Sequence, residues 1–227
     1  MPIFDQIAAS YDLWYQTKIG EFADKTETDC AFSLFQIKSG MHILDIGCGT
    51  GNFSLKLAQN GAQVTAIDIS NEMLKIARQK AAENNLSIDF KNMHSLELQF
   101  PDNTFDGVFS MATIEFISNN DVKKMLSEMF RVCKKGGPVL VGTINRESSW
   151  GKLYQNKNFQ EKVPIFKNAF LKTPAEISQF EKDSLIAVKE CLFLPPDISE
   201  EGISQEKDEQ LAKINQGGYF CILWQKK

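Results

Sequence analysis

One stretch, residues 42 to 70, reading HILDIGCGTGNFSLKLAQNGAQVTAIDIS, limits the folds open to this chain more than any other. Ile43, Leu44 and Ile46 form a short apolar run of strand-forming residues, and Gly47, Gly49 and Gly51 follow at alternate positions. Asn52 to Asn60 then reads as a helix, and Val64 to Ile67 as a second apolar strand closed by Asp68. Strand, bare turn, helix and strand in that order are the parts of a parallel βαβ unit, so an α/β fold is expected.

A turn almost without side chains lets a ligand approach the backbone, while the helix behind it directs unpaired N–H groups to the same place. In a parallel sheet Asp68 ends its strand beside that turn, where a carboxylate can accept both hydroxyls of a ribose. The unit thus describes a nucleoside-containing cofactor. A dinucleotide fingerprint, G-x-G-x-x-G, would need glycine where Asn52 stands; here the spacing is G-x-G-x-G, preceded by Asp45. That carboxylate would repel a pyrophosphate but can bind an ammonium group.

The run D-I-G-C-G-T-G, Asp45 to Gly51, resembles motif I of the class I S-adenosylmethionine-dependent methyltransferases. The resemblance implies S-adenosyl-L-methionine as cofactor, leaving as S-adenosyl-L-homocysteine, with contacts at Asp45, Gly47, Cys48, Gly49 and Asp68. It also implies a Rossmann-like, mostly parallel seven-stranded sheet with helices on both faces, the last strand antiparallel, and a small helical cap.

At 227 residues and 43% hydrophobic content the chain can bury a full core, and its length favours one domain. A net charge of -4 leaves no electrostatic footprint for nucleic acid, so a small-molecule substrate is expected. Cys30, Cys48, Cys133, Cys191 and Cys221 are scattered and odd in number, which argues against a disulfide framework or a zinc site and for a reducing cytoplasm. No apolar run reaches the roughly 20 residues that span a bilayer, and the amino terminus lacks a signal-peptide pattern. No metal site is expected, and nothing in the sequence fixes an oligomeric state.

Residues 3 to 36 carry a helical pattern. Within them F-D-x-I-A-x-x-Y-D-x-W-Y resembles the opening helices of the methyltransferase group often called type 11, which includes quinone-biosynthesis enzymes. There the segment folds over the cofactor as a lid, and Tyr11 matches a lid tyrosine; Trp14 reads as core. Ser70 is expected to cap a helix running to about Asn84. The resemblance sets Ile69 and Met73 against the adenine, although Met73 reads equally well as a core methionine.

The run H-S-L-E-L-Q-F-P-D-N-T-F-D, His94 to Asp106, is similar to the family's D-A-x-x-L-P-F-P-D-x-x-F-D. The match sets His94 on the aspartate that accepts from the adenine amino group, a departure, and Ser95 on the residue whose backbone N–H meets the ring. Alternatively His94 faces solvent and Asn92 or a water serves the adenine. Ser110 and Met111 end the fourth strand, where open α/β sheets bind ligands. Glu115, in M-A-T-I-E-F-I, either faces substrate or holds the turn.

A helix from Asn120 or Asp121 is expected to end at Lys134-Lys135-Gly136-Gly137, with the fifth strand from Pro138 to Ile144. Residues 145 to 172 lose regular pattern but stay aromatic, which suits a substrate cap with Arg146, Trp150 and Tyr154 as contacts. Thr173 and Pro174 open a helix to about Lys182, and strands are expected at Ser184 to Phe193 and Tyr219 to Gln225. The single domain 1–227 thus divides into a lid (1–36), a cofactor-binding core (41–144), a cap insertion (145–172) and the rest of the sheet (173–227).

A sulfonium is already an activated methyl donor, so in-line transfer to a small-molecule acceptor needs positioning and exclusion of water more than side-chain chemistry. Consistently, there is no G-x-S-x-G and the only histidines are His42 and His94, and no catalytic residue is named. Two other readings stand beside the methyltransferase: a nicotinamide-dependent oxidoreductase, disfavoured by Asn52 and Asp45, and a non-catalytic cofactor-binding protein, to which the His94 departure points.

Overall fold

The computed structural model describes residues 3–227 of the chain. Short helical turns at Ile3–Gln6 and Trp14–Gln16 flank α1 (Ala8–Tyr11), and α2 (Lys18–Leu34) follows. Thr17 separates them: its extended backbone stops the preceding turn, and its hydroxyl accepts from Gly20 N–H to start α2. The core then runs β1 (His42–Ile46), α3 (Asn52–Gln59), β2 (Gln63–Asp68), α4 (Asn71–Glu83), β3 (Ile88–Asn92), β4 (Gly107–Met111), α5 (Val122–Val132) and β5 (Pro138–Ile144). After it come α6 (Ser149–Tyr154), α7 (Lys157–Lys162), α8 (Pro174–Ile177), β6 (Leu185–Cys191), α9 (Gln205–Leu211) and β7 (Tyr219–Gln225).

The strands form one seven-stranded sheet in the order β3-β2-β1-β4-β5-β7-β6, with β7 antiparallel to both neighbours and the other pairings parallel. Alternation along β1 assigns its side chains to two layers. Ile43 packs with Phe35, which caps the end of α2, Leu57 of α3 and Leu74 and Ala77 of α4, while Leu44 and Ile46 pack with Met125, Met129 and Phe130 of α5. Asp45 shares the Ile43 side and so points toward α3, the one charge in an otherwise apolar strand. The order reverses between β1 and β4, which makes the carboxyl ends of those two strands the place where such sheets bind ligands.

Phe109 of β4 holds α2 to this sheet. Its ring centroid lies 5.4 Å from that of Phe35, 6.2 Å from Phe32 and 5.6 Å from Phe53 of α3. Gly107 makes room for the same packing, since a Cβ there would stand 2.6 Å from Phe35 Cζ. On the opposite side Arg131 of α5 fastens the link between β3 and β4, donating to the carbonyls of Leu98 and Phe100, both at 2.8 Å, while ion-paired with Glu128.

Several expectations are corrected. Helix α5 ends at Val132 rather than in the Lys134-Gly137 run, because Lys134 N–H already pairs with Phe105 O and returns the chain to the sheet. Asp121 precedes α5 but its carboxylate accepts from the Ser118 hydroxyl instead of capping. The helix opened by Thr173 does carry a capping box with Glu176, yet stops at Ile177, and Glu181 turns left-handed at φ 47° before β6. Trp14 is 36% exposed, not core, since Thr17 breaks the helix whose face would have buried it. Residues 145–172 are not irregular: they fold as α6, α7 and the turn Pro164–Asn168, closed by a bridge between Asn145 and Lys172. Three of the five scattered cysteines come together, Cys30 of α2 meeting the thiols of Cys191 and Cys221 beneath the sheet edge, all as free thiols. No described helix is long and apolar enough to cross a membrane.

Phe109→Ala should cost about 3–5 kcal/mol by removing the ring that joins α2, α3 and β4. Urea unfolding is expected to show a lower midpoint with unchanged slope.

Candidate ligand site at the switch point

A cleft lies between the ends of β1 and β4, lined by Gly47, Cys48 and Gly49 on one side and Met111 and Ala112 on the other. The turn after β1 must be bare. Gly47 has φ +70°, and a Cβ there would collide with the side chain of Thr113, whose hydroxyl bonds the Gly47 and Ile46 carbonyls. Across the cleft Ala112 is also left-handed, at φ 51°, held by its N–H to Gly142 O and Tyr219 Oη. Such backbone strain persists only where surrounding bonds hold it in place.

Thr50 apart, the turn's own amides are committed. Gly47 and Cys48 N–H both donate to Ile67 O, at 2.8 and 3.0 Å, and Gly49 N–H donates to Asp68 Oδ2 at 2.9 Å. The unpaired donors are Thr50 N–H and those of the first turn of α3, where Asn52 and Phe53 N–H have no acceptor among the described residues.

Two carboxylates frame this turn. Asp45 is 2% exposed; Ser54 of α3 donates to its Oδ2 at 2.5 Å, and Oδ1 is left to the cleft that the residue lines. Burial raises its pKa to about 7, with the Asp68 charge adding and the Ser54 bond opposing. Asp68 accepts Gly49 N–H on one oxygen and Ser70 N–H on the other, at 2.9 and 2.8 Å. Burial raises its pKa too, against the pull of those amides.

The amino-terminal segment closes the cleft. Tyr11 and Tyr15 line it, and burial pushes the Tyr11 hydroxyl up to about 12. The fastening is polar: Asp12 accepts from Thr50 Oγ1 at 2.7 Å, Asn52 Nδ2 at 3.2 Å and Lys80 Nζ at 2.9 Å, and Asp5 accepts from Ser70 Oγ at 2.5 Å. With the segment down, the cleft encloses about 40 Å³.

The other expected site residues are distributed unevenly. Ile69 is 43% exposed at the rim, while Met73 is buried below it behind Ser70, which caps α4 as expected. His94 is exposed, and its Nδ1 accepts from Leu96 N–H at 3.1 Å. The single acceptor of a neutral imidazole is thus spent on the chain's own turn, which leaves Nε2 as a donor. Ser95 is buried next to it, and Asn92 donates to Ile69 O. Ser110 faces the α5 layer, opposite Met111, and donates to Ile46 O at 2.9 Å, so its hydroxyl does not reach the cleft. Glu115 is 1% exposed, with Thr143 Oγ1 on its Oε2 at 2.9 Å. Arg146 turns outward to Glu176 at 2.9 Å, Trp150 donates its indole N–H to Leu194 O, and Tyr154 stacks on Phe166 at 4.1 Å.

Sequence reasoning passed over Asp12, Thr50, Lys80, Glu27 and Thr113. Asp12 lies inside the F-D-x-I-A-x-x-Y-D-x-W-Y motif and could have been singled out. Its partners on α3 and α4 carry no local signal.

The model of a family described as a methyltransferase domain matches residues 43–137. Demethylmenaquinone methyltransferase of Listeria monocytogenes is 30% identical over 190 residues, 80% of this chain and 78% of that protein. Phosphatidylethanolamine N-methyltransferase of Cereibacter sphaeroides is 36% identical over 141 residues, 60% of this chain and 67% of that protein. Among solved structures, a Thermotoga maritima protein described as a SAM-dependent methyltransferase, possible histamine N-methyltransferase, superposes with a TM-score of 0.75 at 24% identity over 99% of this chain and 98% of that one.

The raised carboxyl pKa values have a signed consequence for stability. Asp45 and Glu115, both near 7, bind protons more tightly folded than unfolded, so their contribution is complete at acid pH below their ordinary values and is lost as pH rises through 7. The unliganded protein should lose on the order of 2–4 kcal/mol per group between about pH 4 and pH 8. Urea unfolding across that range should show the fall, and Asp45→Asn should remove its share of the slope.

Proposed function

Because the chain belongs to the class I S-adenosylmethionine-dependent methyltransferases, in the type 11 group, we propose that it methylates a small-molecule acceptor held between the amino-terminal lid and the 145–172 cap. The observation that carries this reading is Asp45, a carboxylate buried at the switch point with no cation among the described residues to balance it. An amino-acid ammonium on Oδ1 would supply that cation. S-adenosylmethionine brings such an ammonium, a ribose and a methyl group already activated on sulfur.

The remaining assignments follow from the same frame. Asp68 keeps free lone pairs beyond its two amide bonds and takes the ribose hydroxyls. The bare surface of Gly47, Cys48 and Gly49 lets the amino-acid part lie close to the backbone. Ile69 covers one face of the adenine with Met73 beneath, and Ser95 N–H meets the ring edge. Tyr11 and Tyr15 seal the cleft from water, with Asp12 as the latch.

Admission of the cofactor requires the lid to lift. Between residues 3 and 16 only Ala8 is buried, so the segment is held by the Asp12 and Asp5 bonds and by ring contacts rather than by a core. Such an element opens at low cost.

Isothermal titration should detect S-adenosylmethionine and S-adenosylhomocysteine, and at roughly a hundredfold excess over Kd either should stabilise the fold by about 2.7 kcal/mol. Asp68→Ala should weaken both by roughly 10- to 100-fold, the loss of charge-assisted bonds to two hydroxyls. Bound cofactor should also flatten the pH dependence of stability at Asp45. No heat with either compound, or an unchanged affinity in Asp68→Ala, would remove the reading.

A further inference from the structure

Two acidic groups have no role in that scheme. Glu115 sits on the turn Ile114–Phe116 just past β4; Thr143 occupies its Oε2, but Oε1 is buried without a hydrogen-bond partner among the described residues. Glu27 of α2 is half-buried and forms no hydrogen bond or ion pair with any described residue. The charges of both act on the hydroxyls of Tyr11, Tyr154 and Tyr219. Both carboxylates therefore bear on the space around the same three tyrosines, one each from α1, α6 and β7.

The walls of that space are aromatic. Phe116 meets Phe4 of the lid at 4.8 Å and Phe166 of the cap at 6.2 Å, Tyr11 stands edge-on to Phe4 at 6.3 Å, and Tyr154 stacks on Phe166. The cations nearby are already engaged. Lys56 pairs with Asp24 at 2.6 Å and Arg146 with Glu176 at 2.9 Å. Lys172 donates to the carbonyls of Ile117 and Phe170, and burial lowers its pKa to about 8, although Glu115 opposes that fall. Burial and the neighbouring Asp24 and Glu115 charges raise Glu27 well above the carboxylate range, and burial lifts Glu115 to about 7. Among the described residues this space is short of positive charge.

A buried carboxylate oxygen with no partner is costly, and a ligand cation removes that cost in the bound state alone. Aromatic faces add attraction for the same charge and offer none to a carboxylate or a phenolate. We propose that this space takes a protonated amine as methyl acceptor, its nitrogen against Glu115 Oε1, with the Glu27 carboxyl as a second acceptor and the rings of Tyr11, Tyr154 and Phe116 beside it. This rests on the methyltransferase reading above and names its substrate class. Glu115 then also serves as a base. An ammonium must lose one N–H proton before nitrogen has a lone pair to offer, and the carboxylate takes that proton to become the neutral acid.

The test is calorimetric and uses the full chain loaded with S-adenosylhomocysteine. Phenethylamine and tryptamine are titrated against phenethyl alcohol and tryptophol, their uncharged counterparts, and against naphthohydroquinone. The amines should bind roughly tenfold or more tightly than the uncharged compounds. Glu115→Gln and, separately, the half-buried Glu27→Gln should each weaken amine binding by roughly tenfold, with the alcohol and S-adenosylhomocysteine affinities unchanged. Equal affinity for amine and alcohol, no amine binding, binding of the hydroquinone alone, or glutamine variants that keep the amine overturns the proposal while leaving the methyltransferase reading intact. Failure to bind S-adenosylhomocysteine at all overturns both.

Discussion

Two backbone amides, of Gly49 and Ser70, converge on the Asp68 carboxylate, and most of the site depends on that convergence. One amide belongs to the turn after β1 and the other to the start of α4, so a single side chain at the end of β2 ties two loops together at the switch point. Ile67 O adds to the tie by accepting from Gly47 and Cys48. With the turn held this way, its glycines contribute shape rather than donors. That suits a ligand whose polar groups are an ammonium and a sugar instead of a phosphate.

The electrostatics of the carboxyl edge of the sheet run in one direction. Asp45 and Glu115 are buried and Glu27 is half-buried, with few cations to match them, and each is held above the ordinary carboxylate pKa first by burial. By contrast, Glu128 and Asp106 have their pKa values drawn down by Arg131 and Lys134. The fold therefore satisfies its structural acids and leaves those around the cleft unbalanced. A charge arranged in this way costs stability in the empty protein and returns it when a cation arrives.

The amino-terminal segment, the proposed lid, and residues 145–172, the proposed cap, meet over this region by different means. The segment is bonded through Asp12 and Asp5 to Thr50, Asn52, Lys80 and Ser70, a set of hydrogen bonds that can be exchanged for water at small cost. Toward the cap it presents rings, Phe4 on Phe116 and Trp14 at 6.2 Å from Trp150. A segment with one buried residue and polar fastenings can move as a unit, whereas the sheet beneath it, packed on both faces, cannot.

The order of elements, the parallel sheet and the place of Asp45, the glycine turn and Asp68 were legible in the sequence, because hydrophobic period and glycine spacing are local and the βαβ connection admits one hand. The Ser70 and Thr173 caps were legible for the same reason. Tertiary structure decided what depends on residues far apart in the chain. Whether Ser110 faces the cleft or the α5 layer follows from strand alternation, and whether His94 keeps an acceptor free follows from where Leu96 N–H comes to rest. The end of α5 was set by Phe105 claiming Lys134, and the Asp12 latch by partners on two later helices. Each joins side chains with no shared local pattern, so only the packed chain brings them together.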